Sequence, residues 1–188
     1  YFLLEFSDGK VWDSAPKTVD AACEIMPLDI RIGAICRSSC YHPETAVLFP
    51  GGEQEIALAQ KEKQSQIMTL TEDSTFAAMR AEAKDIDFFV VSREDFNHHL
   101  VRLTMQSGKQ LLVTQNHPLV TSEGLMLQAS MFRIGDSLVK MNGLIDPIVK
   151  IDSDVPYFGK VYNVKTTGET PLSQVVFAEG YLSGSDWY

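Results

Sequence analysis

The stretch CYHPETAV, at residues 40–47, places a cysteine directly before residues that are typical of the start of a β-strand. Thr45 and Val47 are both β-branched, and such residues favour strands. A buried structural cysteine needs no such neighbours. The stretch therefore raises the question of what a cysteine does at the entry to a strand.

The composition of the 188-residue chain is that of an ordinary globular protein, with 45% hydrophobic residues and a mean hydropathy of -0.05. Its apolar runs are too short to cross a bilayer, and no signal peptide opens it. A net charge of -9, with acids and bases interspersed, argues against a surface for nucleic acid or anionic membrane. The chain begins without a methionine, so we expect it to be a piece of a longer protein, and no compartment is assigned.

Three cysteines, Cys23, Cys36 and Cys40, leave at least one thiol outside any internal disulfide. A disulfide between Cys36 and Cys40 would mask Cys40, and it stays open as an alternative. The histidines show no zinc-ligand spacing to the cysteines, and the adjacent His98 and His99 would point to opposite faces of a strand. We therefore predict no metal and no cofactor.

Most of the chain consists of short segments separated by turn residues, which indicates an all-β body. The predicted strands are 55–58, 66–70, 87–92, 100–106, 110–114, 125–127, 137–140, 148–152, 161–166 and 174–178. A hairpin is predicted at residues 2–6 and 11–12, then a short helix at 16–26 and a strand at 29–36. The alanine-rich segment 74–84 is predicted as the one helix within the β body.

Four patterns occur in a set order along the chain. The first is Cys40 with Thr45 and Val47, and the second is TQNH at residues 114–117, which closes a predicted strand. The third is A-x-x-x-x-I-G-D-x-L at residues 129–138, whose glycine and aspartate we interpret as structural. The fourth is VYNVKT at residues 161–166, leading to VVFAEGYL at 175–182.

These patterns together resemble the Hint superfamily, the fold shared by inteins, hedgehog autoprocessing domains and bacterial intein-like domains. The resemblance covers residues 40 to about 185 and is closest to bacterial intein-like or hedgehog-type domains. It implies a mainly all-β, horseshoe-like fold with one inserted helix, preceded by a short α+β segment. It also implies two parts, an upstream segment at 1–39 and an autoprocessing domain at 40–188.

The resemblance implies an N-to-S acyl shift at the Ser39–Cys40 bond, which gives a thioester and cleaves the upstream segment in cis. Such a reaction needs a reactive thiol, donors for an oxyanion and a proton for the leaving nitrogen. His117 would protonate that nitrogen, since histidine normally titrates near neutrality, while Thr114 and Asn116 would hydrogen-bond around the scissile peptide. The partners are the chain's own upstream segment and a water, thiol or amine acceptor, in a single-turnover reaction.

Departures from the family bound this interpretation. Splicing inteins end in His-Asn, whereas this chain has Gly184 and Ser185 at that place, so splicing is not expected. Many members have an aspartate where this chain has Asn163, which cannot act as a base or as a charged partner for Cys40. Hedgehog domains have an aspartate where this chain has Ser92, so sterol transfer is not supported.

The role of Asn163 also stays open, since it is either part of the site or simply a polar strand residue.

Two other functions stay open. The first is an inactive or slow Hint fold that serves as a structural or interaction module. In that module residues 1–39 would be the tail of a neighbouring domain, packed through the predicted strand at 29–36. A thiol hydrolase or transferase that uses Cys40 and His117 on an external substrate also has the required residue types.

Overall fold

The computed structural model describes the backbone of residues 2–6, 11–13, 39–92 and 94–188, and the side chains of residues 39–92 and 94–188. Strands dominate these ranges, which confirms the predicted mainly-β fold class. The predicted helix at 16–26 and strand at 29–36 lie outside them, as do Cys23 and Cys36. The alternative of a disulfide between Cys36 and Cys40 therefore stays a prediction.

The described ranges contain one α-helix, α1 (Ile56–Lys61). The strands are β1 (Phe2–Phe6), β2 (Val11–Asp13), β3 (Ala46–Phe49), β4 (Gly52–Glu55), β5 (Gln66–Leu70), β6 (Ala81–Ser92), β7 (Phe96–Met105), β8 (Gln110–Thr114), β9 (Pro118–Val120), β10 (Met126–Gln128), β11 (Ser137–Val139), β12 (Ile145–Gly159), β13 (Tyr162–Thr166), β14 (Val175–Ala178) and β15 (Tyr181–Gly184). Short 3-10 helices occur at Ala129–Met131 and Leu172–Gln174.

The strands form an 11-stranded sheet and a four-stranded sheet in the order β11-β12-β7-β8. All the named pairings are antiparallel, and the longest ribbon joins β7 to β12. Strand β6 is the centre of the larger sheet, because its first half pairs with β5 and its second half pairs with both β13 and β1. The predicted hairpin strands are confirmed, since β1 pairs with β2.

The predicted helix at 74–84 is wrong. Thr75 and Ala78 exchange backbone hydrogen bonds of 3.0 and 3.3 Å in a tight turn, and Ala81 begins strand β6 opposite Leu70 of β5. The Ser74 hydroxyl bridges the turn by accepting from the Arg80 N–H and donating to the Arg80 carbonyl. Helix propensity differs by only a few tenths of a kcal/mol per ordinary residue, so pairing with β5 overrides it.

The helix lies instead at α1, where a strand was predicted at 55–58. Ile56 and Ala59 are both fully buried, and their three-residue spacing is that of one helical face. The N–H groups of Ile56 and Ala57 donate to the carbonyls of Thr45 and Pro43, at 3.0 and 3.2 Å. The helix start, whose amides have no partner within the helix, is thereby anchored on the turn that follows Cys40.

The main core lies between the strands that surround residues 40–47. Its fully buried members include Tyr41, Val47, Leu111, Val113, Leu119, Val164, Ala178 and Tyr181. Thr45 is also buried, at 4% exposure, and Val47 belongs to β3 as predicted. Among the described residues, no helix has the length and apolar character needed to cross a bilayer.

The position of α1 predicts unequal losses along one helical turn. We expect Ile56→Ala to lower the free energy of unfolding by about 2–5 kcal/mol, because it leaves a cavity in the core. Leu58→Ala, at a side chain that is 40% exposed, should change it by about 0.5 kcal/mol. Urea unfolding of both variants in a Cys40→Ala background measures this difference. Equal reductions in the free energy of unfolding would contradict the position of α1.

Candidate functional site

The Ser39–Cys40 peptide is held between two strands of the body. Tyr41 exchanges backbone hydrogen bonds of 2.7 and 3.1 Å with Tyr162 of β13, and it also bridges to Val113 of β8. The carbonyl of Cys40 accepts from the N–H of Thr114, the last residue of β8, at 2.9 Å. Both residues of the peptide are buried, with Ser39 at 6% exposure and Cys40 at 0%.

Thr114 contacts the nitrogen of this peptide. Its hydroxyl oxygen accepts a hydrogen bond from the Cys40 N–H at 2.8 Å. The antiparallel bridge between Tyr41 and Val113 places Cys40 and Thr114 opposite each other, so the contact follows from strand register. Thr114 thus lies in contact with the nitrogen of the Ser39–Cys40 peptide, and its role there stays a prediction.

Asn163 contacts the carbonyl of the same peptide. Its Nδ2 donates to the Ser39 carbonyl at 2.5 Å and to the Ser39 hydroxyl at 2.9 Å, and the side chain is fully buried. The Oδ1 atom accepts from the N–H of Val164 at 2.8 Å, which orients the amide with its NH₂ group toward Ser39. The Asn163 side chain thus contacts the carbonyl oxygen of the Ser39–Cys40 peptide, and whether it has a functional role stays open.

His117 is a buried imidazole that packs against Tyr41, the residue after Cys40. Its ring centroid lies 4.1 Å from that of Tyr41, and its backbone N–H donates to the Thr114 carbonyl at 3.0 Å. Burial lowers the pKa of His117 from 6.5 to about 3, so the ring is neutral at physiological pH. This corrects the prediction of an imidazole that titrates near neutrality.

The two ring nitrogens of His117 have different surroundings. Nε2 lies 2.9 Å from the Ser183 hydroxyl oxygen, whereas Nδ1 is buried without a hydrogen-bond partner. The Tyr41 hydroxyl donates to the same Ser183 oxygen at 2.7 Å, and Ser183 can donate to the Pro118 carbonyl at 3.5 Å. A buried polar atom without a partner is rare in a folded protein and marks a place where chemistry is to be sought.

Backbone hydrogen bonds from the third sequence pattern hold the loop that carries His117 in place. Ala129 and Ser130 donate backbone hydrogen bonds to the carbonyls of His117 and Gln115, each at 2.8 Å. Asn116 lies at the tip of this loop and is half-buried, and within the described ranges its side chain makes no hydrogen bond to Ser39 or Cys40. Its predicted role at the scissile peptide therefore has no contact to support it.

The glycine and aspartate of the third pattern are structural, as the sequence indicated. Gly135 has a φ of +100°, a conformation that favours glycine. The Asp136 carboxylate accepts from the Arg133 N–H at 2.8 Å and closes this turn. Ser92 also has a structural contact, since its hydroxyl accepts from the Val161 N–H at 3.1 Å.

Gly184 and Ser185, which the sequence analysis placed where splicing inteins have His-Asn, are tightly packed in this chain. A Cβ on Gly184 would lie 2.7 Å from Pro118 Cγ and 2.9 Å from Tyr188 Cδ2, so no side chain fits without movement. The Ser185 hydroxyl donates to Gln174 Oε1 at 2.5 Å, and its N–H donates to the Gln174 carbonyl at 2.9 Å. Both positions are filled by tight packing and hydrogen bonds.

Sequence reasoning missed Ser183, the residue that joins His117 to Tyr41. It lies 66 positions from His117, and a serine in a hydrophobic strand carries no motif that would have revealed it. In the part of the chain that the structure describes, no group of three His, Cys, Asp or Glu side chains is placed to hold a metal ion.

Comparison with solved structures identifies the fold. The chain is similar to a bacterial intein-like domain from Clostridium thermocellum, with a TM-score of 0.62 and 17% identity over 79% of this chain and 99% of that one. It is also similar to a DnaB intein from Synechocystis sp. PCC 6803, with a TM-score of 0.60 and 13% identity over 79% and 99%. An intein from a hyperthermophile gives a TM-score of 0.61 and 14% identity over 79% and 100%. No protein-family model matches the chain, and no curated protein matches it significantly.

The fold is therefore that of inteins and intein-like domains. The resemblance inferred from the four sequence patterns is confirmed at the level of the fold. The roles of individual residues and the domain boundary at residue 40 stay predictions.

The low pKa of His117 predicts a specific pH dependence of stability. The unfolded state takes up a proton near pH 6.5, whereas the folded state does so only near pH 3, so stability is lost as the pH falls between these values. In this range the free energy of unfolding of the Cys40→Ala protein should fall by about 1.4 kcal/mol for each unit by which the pH is lowered. Adding His117→Phe should abolish this contribution.

Urea unfolding between pH 7 and pH 4 measures this difference in slope. Asn116→Ala, in the same loop but without a titrating group, should keep the slope of the Cys40→Ala parent. If His117→Phe also keeps that slope, His117 is not held neutral by the fold.

Proposed function

We propose that this chain is a self-processing domain in which Cys40 attacks the carbonyl carbon of Ser39. Residues 1–39 are the segment that is cut off, and residues 40–188 form the processing domain. The observation that carries the proposal is that each polar atom of the scissile amide has its own side-chain partner, Asn163 at the oxygen and Thr114 at the nitrogen. Residues 40–188 also make up the same share of the chain as the 79% that aligns with the intein structures.

The reaction is an N-to-S acyl shift. A bond forms between Cys40 Sγ and the Ser39 carbonyl carbon, and the bond from that carbon to the Cys40 nitrogen breaks. The thiol proton ends on the nitrogen, so an amide and a thiol become a thioester and an amine. Hydrolysis of the thioester, or its transfer to a thiol or amine, then separates the upstream segment.

Asn163 supplies the oxyanion donor. As Sγ adds to the carbonyl carbon, negative charge develops on the Ser39 oxygen, to which the Asn163 NH₂ group already donates. An aspartate with the same geometry would present a carboxylate to that charge and could donate nothing while ionised. The departure from the family's usual aspartate is therefore compatible with catalysis, with Asn163 acting as a donor rather than as a base.

His117 moves the proton. Because its ring is neutral, it must take the thiol proton before it can give one, and Nδ1 is the buried nitrogen without a partner. In this scheme Nε2–H donates to Ser183, which accepts a second hydrogen bond from Tyr41 and directs its own hydrogen to Pro118. A pKa near 3 makes the protonated ring short-lived, so the proton passes on to the Cys40 nitrogen.

Thr114 holds the leaving nitrogen. Its hydroxyl oxygen accepts from the Cys40 N–H in the amide and can keep that hydrogen bond as the nitrogen gains its second proton. The contact orients the nitrogen during C–N cleavage. Asn116 has no contact that supports a direct role.

Cleavage on the downstream side is not part of the proposal. Splicing needs an asparagine side chain that cyclises, and the corresponding place holds Ser185, hydrogen-bonded to Gln174. The neighbouring Gly184 leaves no room for a histidine. The proposed partners are the upstream segment and the thioester acceptor. Nucleic acid is not among them, since the net charge is -9.

Intact mass spectrometry is the first test. Wild-type protein incubated with dithiothreitol at neutral pH should break between Ser39 and Cys40, because the thiol captures the thioester. Cys40→Ala should stay in one piece under the same conditions.

Two results would contradict the proposal. An unchanged wild-type mass would favour an inactive Hint fold that serves as a structural or interaction module. Turnover of a small thioester beyond one equivalent, abolished by Cys40→Ala, would favour a hydrolase or transferase acting on external substrates.

The oxyanion role predicts how Asn163 variants behave. Asn163→Ala should slow cleavage by about 10²–10³-fold, the usual cost of one lost oxyanion donor. Asn163→Asp should be at least as slow, since its carboxylate faces the developing negative charge. The rate of appearance of the Cys40-terminal fragment measures both effects.

Ser39→Ala is the matched control for these variants. It removes the hydroxyl that Asn163 also contacts but keeps the carbonyl that reacts. We expect it to keep most of the wild-type rate, because the hydroxyl contact does not change during the reaction. If Asn163→Asp cleaves as fast as wild type, Asn163 is not the donor.

A further inference from the structure

The second half of β6 is paired on both of its edges. Residues 88–91 of β6 pair with β13 and also with β1, so the two partners lie on opposite edges. The registers meet at Val90, which is opposite Asn163 on one side and opposite Leu4 on the other. The upstream segment thus lies two strand spacings, about 10 Å, from the strand that carries Asn163.

This edge of β6 is suited to holding another strand. Its residues are two phenylalanines, two valines and Ser92, and aromatic and β-branched residues favour sheet pairing. Phe89, Val90 and Val91 are each at least 94% buried. An uncovered edge of this composition would offer free backbone N–H and C=O groups to any extended chain, so its cover matters for solubility.

We propose that the β6 edge at residues 88–92 is a docking site for an extended segment, and that Phe2–Phe6 is the segment that occupies it. The upstream part of the chain is then held by the processing domain at a second place, far in sequence from the scissile bond. Cutting the chain between residues 13 and 40 leaves the two pieces in one complex. Recognition is by strand addition, in which main-chain hydrogen bonds supply the affinity.

The pairing partners of β1 favour such retention. All five residues of β1 are in register with β6, from Phe2 opposite Ser92 to Phe6 opposite Phe88. Strand β1 also pairs with β2 through Leu4 and Trp12, so the docked unit is a hairpin. A preformed hairpin loses less conformational entropy on docking than a disordered peptide does. The intact chain adds the high effective concentration of a tethered ligand.

The inference does not rest on the proposed self-cleavage, and its test avoids that reaction. In a Cys40→Ala chain, a recognition sequence for a site-specific protease is inserted between Lys17 and Thr18. After complete cutting, the hairpin fragment should co-elute with the remainder in size-exclusion chromatography without denaturant. Its elution at its own size would overturn the inference, whatever Cys40 does in the wild-type chain.

Two variants test whether β1 is the element that is held. Leu4→Pro places a proline in a strand that is paired on both edges, where its ring disfavours the extended pairing, so the cut fragment should be lost from the complex. Leu4→Val keeps both the N–H and the strand preference and should be retained. Co-elution of the Leu4→Pro fragment would overturn the inference, because retention would then not depend on the strand.

Hydrogen exchange on the uncut proteins gives an independent measurement. The amides of Phe89 and Val91, which the antiparallel register directs toward β1, should exchange faster in Leu4→Pro than in Leu4→Val, while those of Gln110–Thr114 exchange equally. Unchanged protection at Phe89 and Val91 would contradict docking at this edge. Faster exchange everywhere would show that Leu4→Pro destabilises the whole body rather than one edge, and would also contradict it.

Discussion

The two-sided backbone pairing of Tyr41 is the constraint on which the site depends. Its bridges to Val113 and Tyr162 fix the chain between β8 and β13, and antiparallel register then places Cys40 opposite both Thr114 and Asn163. The contacts to the Ser39–Cys40 amide are thus consequences of strand register. A site built on strands keeps its geometry better than one built on flexible loops.

Burial decides how the polar groups around Cys40 behave. Tyr41, Asn163 and Ser183 are fully buried, and each is hydrogen-bonded, which offsets the cost of removing polar groups from water. In this dry environment a correctly placed donor acts more strongly than it would in water. The same burial lowers the pKa of His117 and holds its ring neutral, and among the described residues its Nδ1 is the one buried side-chain nitrogen or oxygen without a hydrogen-bond partner.

Local patterns revealed the part of the site that short motifs encode. Cys40, Thr114 and His117 stand in such patterns, and the structure brings them to one place. The contact of Asn163 with Ser39 was not predicted, because the family pattern emphasises charge, whereas this contact depends on an amide hydrogen. The strand fold was predictable from its turns. The incorrect helix at 74–84 was not excluded, because the helix propensity of alanine contains no information about the pairing of this segment with β5.

Strand β6 connects the chemistry with the upstream segment. Its residues 88–91 support β13, which positions Asn163 against the acyl group, and the same residues pair with β1 on the other edge. The upstream segment is therefore attached at two places, by strand pairing at β1 and by a covalent bond at Ser39. An acyl shift replaces only the covalent attachment, and it leaves the docked strand unchanged. The thioester would then form without the upstream segment leaving the domain, so its lifetime depends on which acceptor reaches the buried acyl carbon.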